Sequence, residues 1–468
     1  MSVARRLVGS FGASALGPGV TLLVQLANVP VMLRLWGPEL YGEWLMLSAI
    51  PTYLLLSDLG FGNVAGSAMT MSVHAGDRAG ARRIFQSTTA LVSLSSLILA
   101  AVAVTFILLL PLQKIFSLRA MPLSEARATL LLLCLNCLVI LQWSVLMSAY
   151  RATGRYARGM LIVNLIRIVE GAGIFVILFT HGRPEALAAY MLVVSLLGTI
   201  WLVIQHTRYA PWLRMGVREA HWGTLRGLVR PAFAFMAFPA CAAISTQGMT
   251  LVIGFTLGPL AVALFNPMRT LSRIPLQLTD AIKNSAWPEL SAAFGRNDQP
   301  LARRLHRGAF QASLLIAAAL TVVLWFVGPF AFRLWVHGRM VIALLPFHLL
   351  LVEVFVNSLW NTSSSVAMSV NRHERVSLWY LVFSVLSIVI VAVLSRYIGL
   401  AGVGVGMLVA DLAMFVTVLT ISTSIVGDTV PSLLMACCRP AELLALLSSI
   451  RHRPAPSPEA VESSVANP

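Results

Sequence analysis

Short polar and Gly- or Pro-bearing segments cut this chain into about twelve apolar blocks, each of roughly the 20 residues an α-helix needs to cross about 30 Å of hydrocarbon. In lipid every backbone amide must find a partner within the chain, so blocks of this length fold as helices. They fall near 12–33, 41–70, 84–110, 126–149, 159–180, 186–205, 231–257, 263–290, 308–335, 341–369, 376–395 and 400–425, the second, eighth and tenth being the least uniform. Hydrophobic residues make up 58% of the chain, charged residues only 11%, and mean hydropathy is +0.83, which excludes an ordinary soluble domain. The expected fold is an all-α integral membrane protein. The first block reads as a retained span, since Gln25 and Asn28 interrupt it and no small-residue cleavage site follows.

The chain repeats itself at a spacing of 221. Residues 37–83 set against 258–304 without a gap give nine identities in 47, among them Gly37-Pro38 with Gly258-Pro259, Asn63 with Asn284, Asp77 with Asp298, and Ala81-Arg82-Arg83 with Ala302-Arg303-Arg304. Six blocks separate the copies. An even number keeps their orientation, so the expected architecture is two six-helix bundles related by a parallel pseudo-twofold axis along the membrane normal. The reading divides the chain into an N-terminal bundle (1–205), a cytosolic interfacial linker (206–230), a C-terminal bundle (231–436) and a Pro-, Ser- and Glu-bearing tail (437–468) expected to be disordered. Trp212, Trp222 and five arginines within 206–230 suit either an amphipathic helix at headgroup depth or a basic loop.

Orientation follows from the basic residues. With an internal N-terminus, most of the 34 Lys and Arg fall on the cytosolic side, including Arg82, Arg83, Arg151, Arg155, Arg158, Arg303, Arg304 and Arg307. Both termini are then cytosolic. The formal net charge of +16 reflects topology and contact with anionic lipid, and no nucleic-acid partner is expected. The five cysteines are badly placed for disulfides, and Cys134-Leu-Asn-Cys137 lacks the second pair that a metal site would need.

The eighth block carries the chemistry. Arg269, Arg273, Gln277, Asp280, Lys283 and Asn284 fall within roughly a 120° arc of one helix, while Leu271, Ile274, Leu278 and Ile282 take the other side. A charge costs about 2.5–3.5 kcal/mol on insertion scales, so a charged stripe in a span points to a wet interior or an anionic ligand. Bundle-internal salt bridges to Asp58, Glu353 or Asp411 are the competing explanation for Arg269 and Arg273, and Arg167 with Glu170 reads as a structural i,i+3 pair. Thr21, Gln25 and Asn28 share a face of the first span, and Glu353, Asn357, Asn361 and Ser364 share one of the tenth. Either stripe can line a cavity or bond a neighbouring helix.

At this point the residues resemble a family. Leu35-Trp-Gly-Pro-Glu-Leu-Tyr-Gly-Glu-Trp44, Tyr53 and Ser57-Asp-Leu-Gly-Phe-Gly62 are similar to the start of bacterial polysaccharide and O-antigen (Wzx-type) flippases of the multidrug, oligosaccharidyl-lipid and polysaccharide exporter superfamily. Gly258-Pro259, Phe265-Asn266, Arg269, Pro275 and Ala286-Trp-Pro-Glu-Leu-Ser291 resemble that family's seventh and eighth spans. The resemblance implies alternating-access transfer of an undecaprenyl-pyrophosphate-linked oligosaccharide from the cytosolic to the outer leaflet of the bacterial inner membrane. O-antigen, capsule or exopolysaccharide would be the product, with a glycan polymerase and a chain-length regulator as partners beside the membrane lipids. Related peptidoglycan-precursor flippases carry a charged pair in the first span where Asn28-Val29 stands here, which argues for a different glycan.

The expected substrate-binding residues are Arg269, Arg273, Lys283, Asn266, Gln25 and Asn28, with Asp58, Asp280, Glu353 and Asp411 as candidates for H⁺ or Na⁺ coupling. No catalytic residue, metal site or cofactor is expected, because no phosphate-binding Gly-rich loop, zinc motif or nucleophile elbow occurs. A multidrug or cation antiporter of the same superfamily and a membrane-bound glycan polymerase or ligase are the alternatives. The first would want a negative cavity, and the second a larger outer loop or a catalytic histidine better supported than His348.

Overall fold

A computed structural model describes residues 24–437 except 59, 371 and 373, and the side chains of 58, 63, 230, 231 and 233–239 also fall outside the description. Thr21, the Asp58 carboxylate and the 438–468 tail therefore lie outside the described residues. Within them every regular element is helical. The first half comprises α1 (Val24–Leu35), α2 (Gly37–Thr52), a 3₁₀ turn (Tyr53–Asp58), α3 (Phe61–His74), α4 (Arg78–Leu109), the short α5 (Leu112–Ile115), α6 (Leu123–Ala152), α7 (Tyr156–Phe179) and α8 (Pro184–Tyr209). The second comprises α9 (Trp222–Ala243), a π turn (Ile244–Gly248), α10 (Met249–Leu257), α11 (Pro259–Ser272), α12 (Ile274–Gly295), α13 (Gln299–Trp335), α14 (Leu344–Ser369), α15 (Glu374–Ile398), α16 (Leu400–Ile425) and the short α17 (Val430–Cys437).

Among the described residues nine helices are long and apolar enough to cross a bilayer. The three further spans expected from the sequence are the first, described only from Val24, and the second and eighth, which are broken. In the second, α2 passes through the 3₁₀ turn into α3, and Gly60 at φ 77° makes the corner that a side chain would resist. In the eighth, the helix breaks at Arg273, because Pro275 has no amide to continue the ladder and suits the first turn of a new helix.

The pseudo-twofold relation holds down to single bonds. Gly37 and Gly258 both take positive φ, 79° and 87°, ahead of a proline-led helix. Asp77 caps α4 by accepting from the Gly80 amide at 2.7 Å, and Asp298 caps α13 by accepting from the Leu301 amide at 3.0 Å. Helices pack mainly within their own half, α6 with α3, α4 and α8, and α14 with α12, α13 and α16. Outward faces carry exposed hydrophobics such as Leu97, Phe106, Phe326 and Phe330, as lipid contact requires.

The halves meet where α2 crosses α11. Gly42 lies so near the Pro259 carbonyl that any side chain would overlap it, Met46 fills the space over Gly254, and Trp335 donates to the Leu26 carbonyl at 2.6 Å. Glu43, fully buried on α2, accepts from the amides of Arg119, Ala120 and Met121 and so fixes the loop that follows α5 at this end.

The link between the halves differs from the amphipathic helix considered above. Residues 210–221 form turns and irregular chain, with Trp222 opening α9. Side chains of α4 supply the bonds a helix would have made internally: Gln86 accepts from the Glu219 amide at 2.7 Å and Ser87 from the His221 amide at 2.9 Å. Arg82 pairs with Glu219 at 2.8 Å. In the second half Arg303, the repeat counterpart of Arg82, donates to the Val426 and Gly427 carbonyls and Arg307 pairs with Asp428 at 2.8 Å on the segment after α16, so both bundles close by tying their last connection to the start of their third span.

Candidate functional site

Between the halves lies a cavity of about 730 Å³ lined by α1, α2, α7, the π turn, α11 and α12. Five of the six expected substrate-binding residues face it: Gln25, Asn28, Asn266, Arg269 and Arg273. Asp280 lines it too. Lys283 does not; its Nζ donates to Asn361 Oδ1 on α14 at 2.7 Å, and the same Asn361 amide donates to Asp280 at 2.6 Å, so one carboxamide bridges the two charges.

Arg269 is held from three directions by neutral groups. Its Nη1 donates to the Thr246 carbonyl at 2.8 Å, its Nη2 to Asn266 Oδ1 at 3.0 Å and to the Thr250 hydroxyl at 3.4 Å, and its guanidinium lies over the Phe265 ring. The π turn makes this possible, because residues wound i→i+5 leave carbonyls off the regular ladder. Asn266 in turn reaches Tyr41 of the other half at 3.5 Å. Among the described residues neither Arg269 nor Arg273 forms an ion pair. No direct salt bridge from Glu353 or Asp411 therefore holds these cations, although both carboxylates act on Arg273 at longer range, and the guanidinium groups face the cavity.

A third arginine joins them. Arg167 on α7 lines the cavity from the first half, and the i,i+3 pair expected with Glu170 is absent, Glu170 instead accepting from Ser195 at 2.9 Å. The sequence offered a signal, since a lone arginine mid-span is itself costly, but the nearby carboxylate masked it. Three guanidinium groups against the Asp280 carboxylate give the cavity a cationic excess from both sides. Beside it, Arg167 and Met160 also border an apolar chamber of about 310 Å³ with Leu55, Leu141, Met147 and Val163.

The stripe of the tenth span behaves differently from that of the first. Instead of lining the main cavity, Glu353 and Asn357 border a small polar pocket of about 30 Å³, room for one water. Asp411 on α16 lies there, accepting from Trp360 Nε1 at 2.8 Å and Asn357 Nδ2 at 3.0 Å. Tyr380, Ser245, Ser384 and Ser387 complete its polar wall. Arg273 borders both this pocket and the main cavity. No cluster of metal-ligating side chains occurs among the described residues, and His348 lies stacked on Trp325 at 4.0 Å.

No protein-family model matches the chain, and neither does any curated protein. Solved structures do. A multidrug resistance MATE family transporter of the MOP superfamily in an inward-facing conformation superposes with a TM-score of 0.73 at 15% identity, over 87% of this chain and 94% of that one. An outward-facing conformation of such a transporter gives 0.65 at 15% identity, over 91% and 96%. A MOP superfamily transporter from Pyrococcus furiosus Vc1, described by the reverse polarity of its binding pocket, gives 0.61 at 17% identity, over 92% and 98%. The chain thus has the all-α, multi-span fold of these transporters, with two helical halves around a central cavity.

Proposed function

We propose that this protein is a flippase that carries an undecaprenyl-pyrophosphate-linked oligosaccharide across the bacterial inner membrane by alternating access, delivering it for O-antigen, capsule or exopolysaccharide assembly. The observation that carries the reading is the cationic cavity: Arg167, Arg269 and Arg273 face one space without an ion-pair partner among the described residues. A guanidinium with no direct ion-pair partner inside a membrane protein marks a ligand of opposite sign. A pyrophosphate answers that demand, and arginine's planar fork matches its oxygens. The apolar chamber beside Arg167 suits the start of a polyprenyl chain, and the fold is one whose two halves rock about a central site. Arg269, Arg273, Asn266, Gln25 and Asn28 bind the head of the substrate, joined by Arg167. Lys283 supports α12 from behind. Asp280, Glu353 and Asp411 are the described candidates for H⁺ or Na⁺ coupling, with Asp58 as the fourth.

In this reading both termini face the cytosol, the glycan polymerase and chain-length regulator act downstream, and the protein performs no chemistry on its cargo. A cation-exporting drug antiporter of the same fold would be poorly served by the same cavity, since three guanidinium groups repel its substrates. Surface-glycan display in a deletion strain, normalised to protein abundance, tests the proposal. The Arg269→Ala, Arg273→Ala double variant is expected to insert normally and to display no glycan, and normal display would refute the reading.

A further inference from the structure

Arg273 borders two spaces at once. On one side is the 730 Å³ cavity with Arg269 and Arg167, and on the other the 30 Å³ pocket that holds Glu353 and Asp411. Its position follows from the break in the eighth span. The α11–α12 corner leaves Arg273 at the joint, in neither helix, where its side chain can serve either direction. The polar atoms there are not settled: Arg273 Nε and Glu353 Oε2 are both buried without a hydrogen-bond partner, and Glu353 is 2% exposed. Asp411, by contrast, has two neutral donors, Trp360 and Asn357, so it stays in place whatever Arg273 does.

We infer that the Glu353–Asp411 pair is the internal counterion of Arg273, standing in for the substrate's phosphate in the empty carrier. The idea rests on the anionic substrate proposed above and adds how the empty and loaded carriers stay charge-balanced. In the empty protein the carboxyl pair carries the negative charge that compensates Arg273. When a phosphate enters the main cavity it takes that compensation over, and a proton from solution forms an O–H bond on the pair. Both states place the cation beside an anion, and both can therefore cross the occluded intermediate without an uncompensated charge in low dielectric. Other groups facing the pair do not duplicate this role. Arg269 is held by Thr246, Asn266 and Thr250, while Tyr380 contributes a neutral group. Asp280 acts on Arg273 from α12 but, like Lys283, is tied to Asn361.

The consequence is linkage between proton and anion, which bind together rather than in competition. The test uses the full chain in lipid nanodiscs titrated with farnesyl pyrophosphate between pH 8 and 9, where that ligand exchanges few protons of its own. A weakly buffered pH indicator counts protons. Wild type should take up about one proton per ligand bound, with affinity falling towards tenfold per pH unit. Glu353→Gln/Asp411→Asn, near-isosteric and neutral, should bind with no uptake and a flat pH dependence, and Arg273→Gln should bind more weakly and also without uptake. Arg269→Gln should lose affinity yet keep the uptake. If wild type binds the ligand with the same proton count as the Gln/Asn variant, the counterion role is wrong while the flippase reading stands. If wild type does not bind farnesyl pyrophosphate at all, both fall.

Discussion

Gly42 of the first half and Pro259 of the second meet backbone to backbone, with no room for even a Cβ between the Gly42 α-carbon and the Pro259 carbonyl. This crossing of α2 and α11 is a close approach between the halves, and a carrier that alternates must part it. Gly42→Leu should disfavour the closed seam by the about 1–3 kcal/mol typical of overpacking, an about 5- to 150-fold shift in population. Spin labels on Lys114→Cys and Arg339→Cys, exposed at this end of each half, should report a longer distance in the Gly42→Leu background. An unchanged distance distribution would show that the seam does not move.

Arg167 supplies the first half's share of the cationic surface. Arg167→Gln should weaken binding of a prenyl pyrophosphate by about 1.5–3 kcal/mol, about 10- to 150-fold, as the loss of one charge-assisted hydrogen bond predicts. Thermal stability in detergent should stay near wild type, because among the described residues the guanidinium has no ion-pair partner to strand. A drop in melting temperature without loss of affinity would assign Arg167 a structural task instead.

Asn361 bridges Lys283 and Asp280 with a single carboxamide. In Asn361→Leu the Asp280 carboxylate still faces the wet cavity, whereas the Lys283 ammonium loses its acceptor inside the protein. Stranding a buried charge costs about 3–5 kcal/mol, so the folded yield should fall steeply. Adding Lys283→Met should restore it, and Lys283→Met alone should retain anion binding. Loss of binding in Lys283→Met would return this lysine to the substrate site.

The Arg307–Asp428 bridge gives an acid-sensitive clamp on the second bundle. Burial alone would raise the Asp428 carboxyl, but hydrogen bonds from Arg307, with those from the Thr429 amide and Ser432, outweigh it and hold the group below its usual range. A depressed folded value means the bridge contributes fully above the unfolded aspartate value of about 3.9 and is lost as pH falls through the folded one. Melting temperature in detergent should therefore decline below about pH 4, and Asp428→Asn should lower it at neutral pH and flatten that part of the decline. An equally steep acid decline in Asp428→Asn would exclude the bridge as its source.

Much of this architecture is written in the sequence because hydrocarbon enforces it. Block length dictates the spans, and the 221-residue repeat dictates two parallel halves. Arg269, Arg273, Asn266, Gln25 and Asn28 are legible as cavity residues because a polar side chain in an apolar helix has few places to go. What the sequence conceals depends on rotation and partner choice. Lys283 lies at the edge of the arc that Arg269 shares, and there Asn361 of α14 takes its ammonium, a partner that helical periodicity does not reveal. Arg167 hides behind Glu170, whose bond to Ser195 could not be foreseen without the packing of α7 on α8. The linker at 210–221 looks amphipathic, but Gln86 and Ser87, distant in sequence, satisfy its backbone as a loop.

Selection of a phosphoanion by the cavity is what the proposed function requires. Trp44 lines the cavity, so occupancy should change the tryptophan fluorescence of the protein. Purified protein in nanodiscs, titrated in parallel with farnesyl pyrophosphate and with the cation tetraphenylphosphonium, should show saturable quenching by the pyrophosphate alone. The signal should disappear in the Arg269→Ala, Arg273→Ala variant and persist in Lys283→Met. Tighter binding of tetraphenylphosphonium, or undiminished pyrophosphate binding by the double variant, would contradict it.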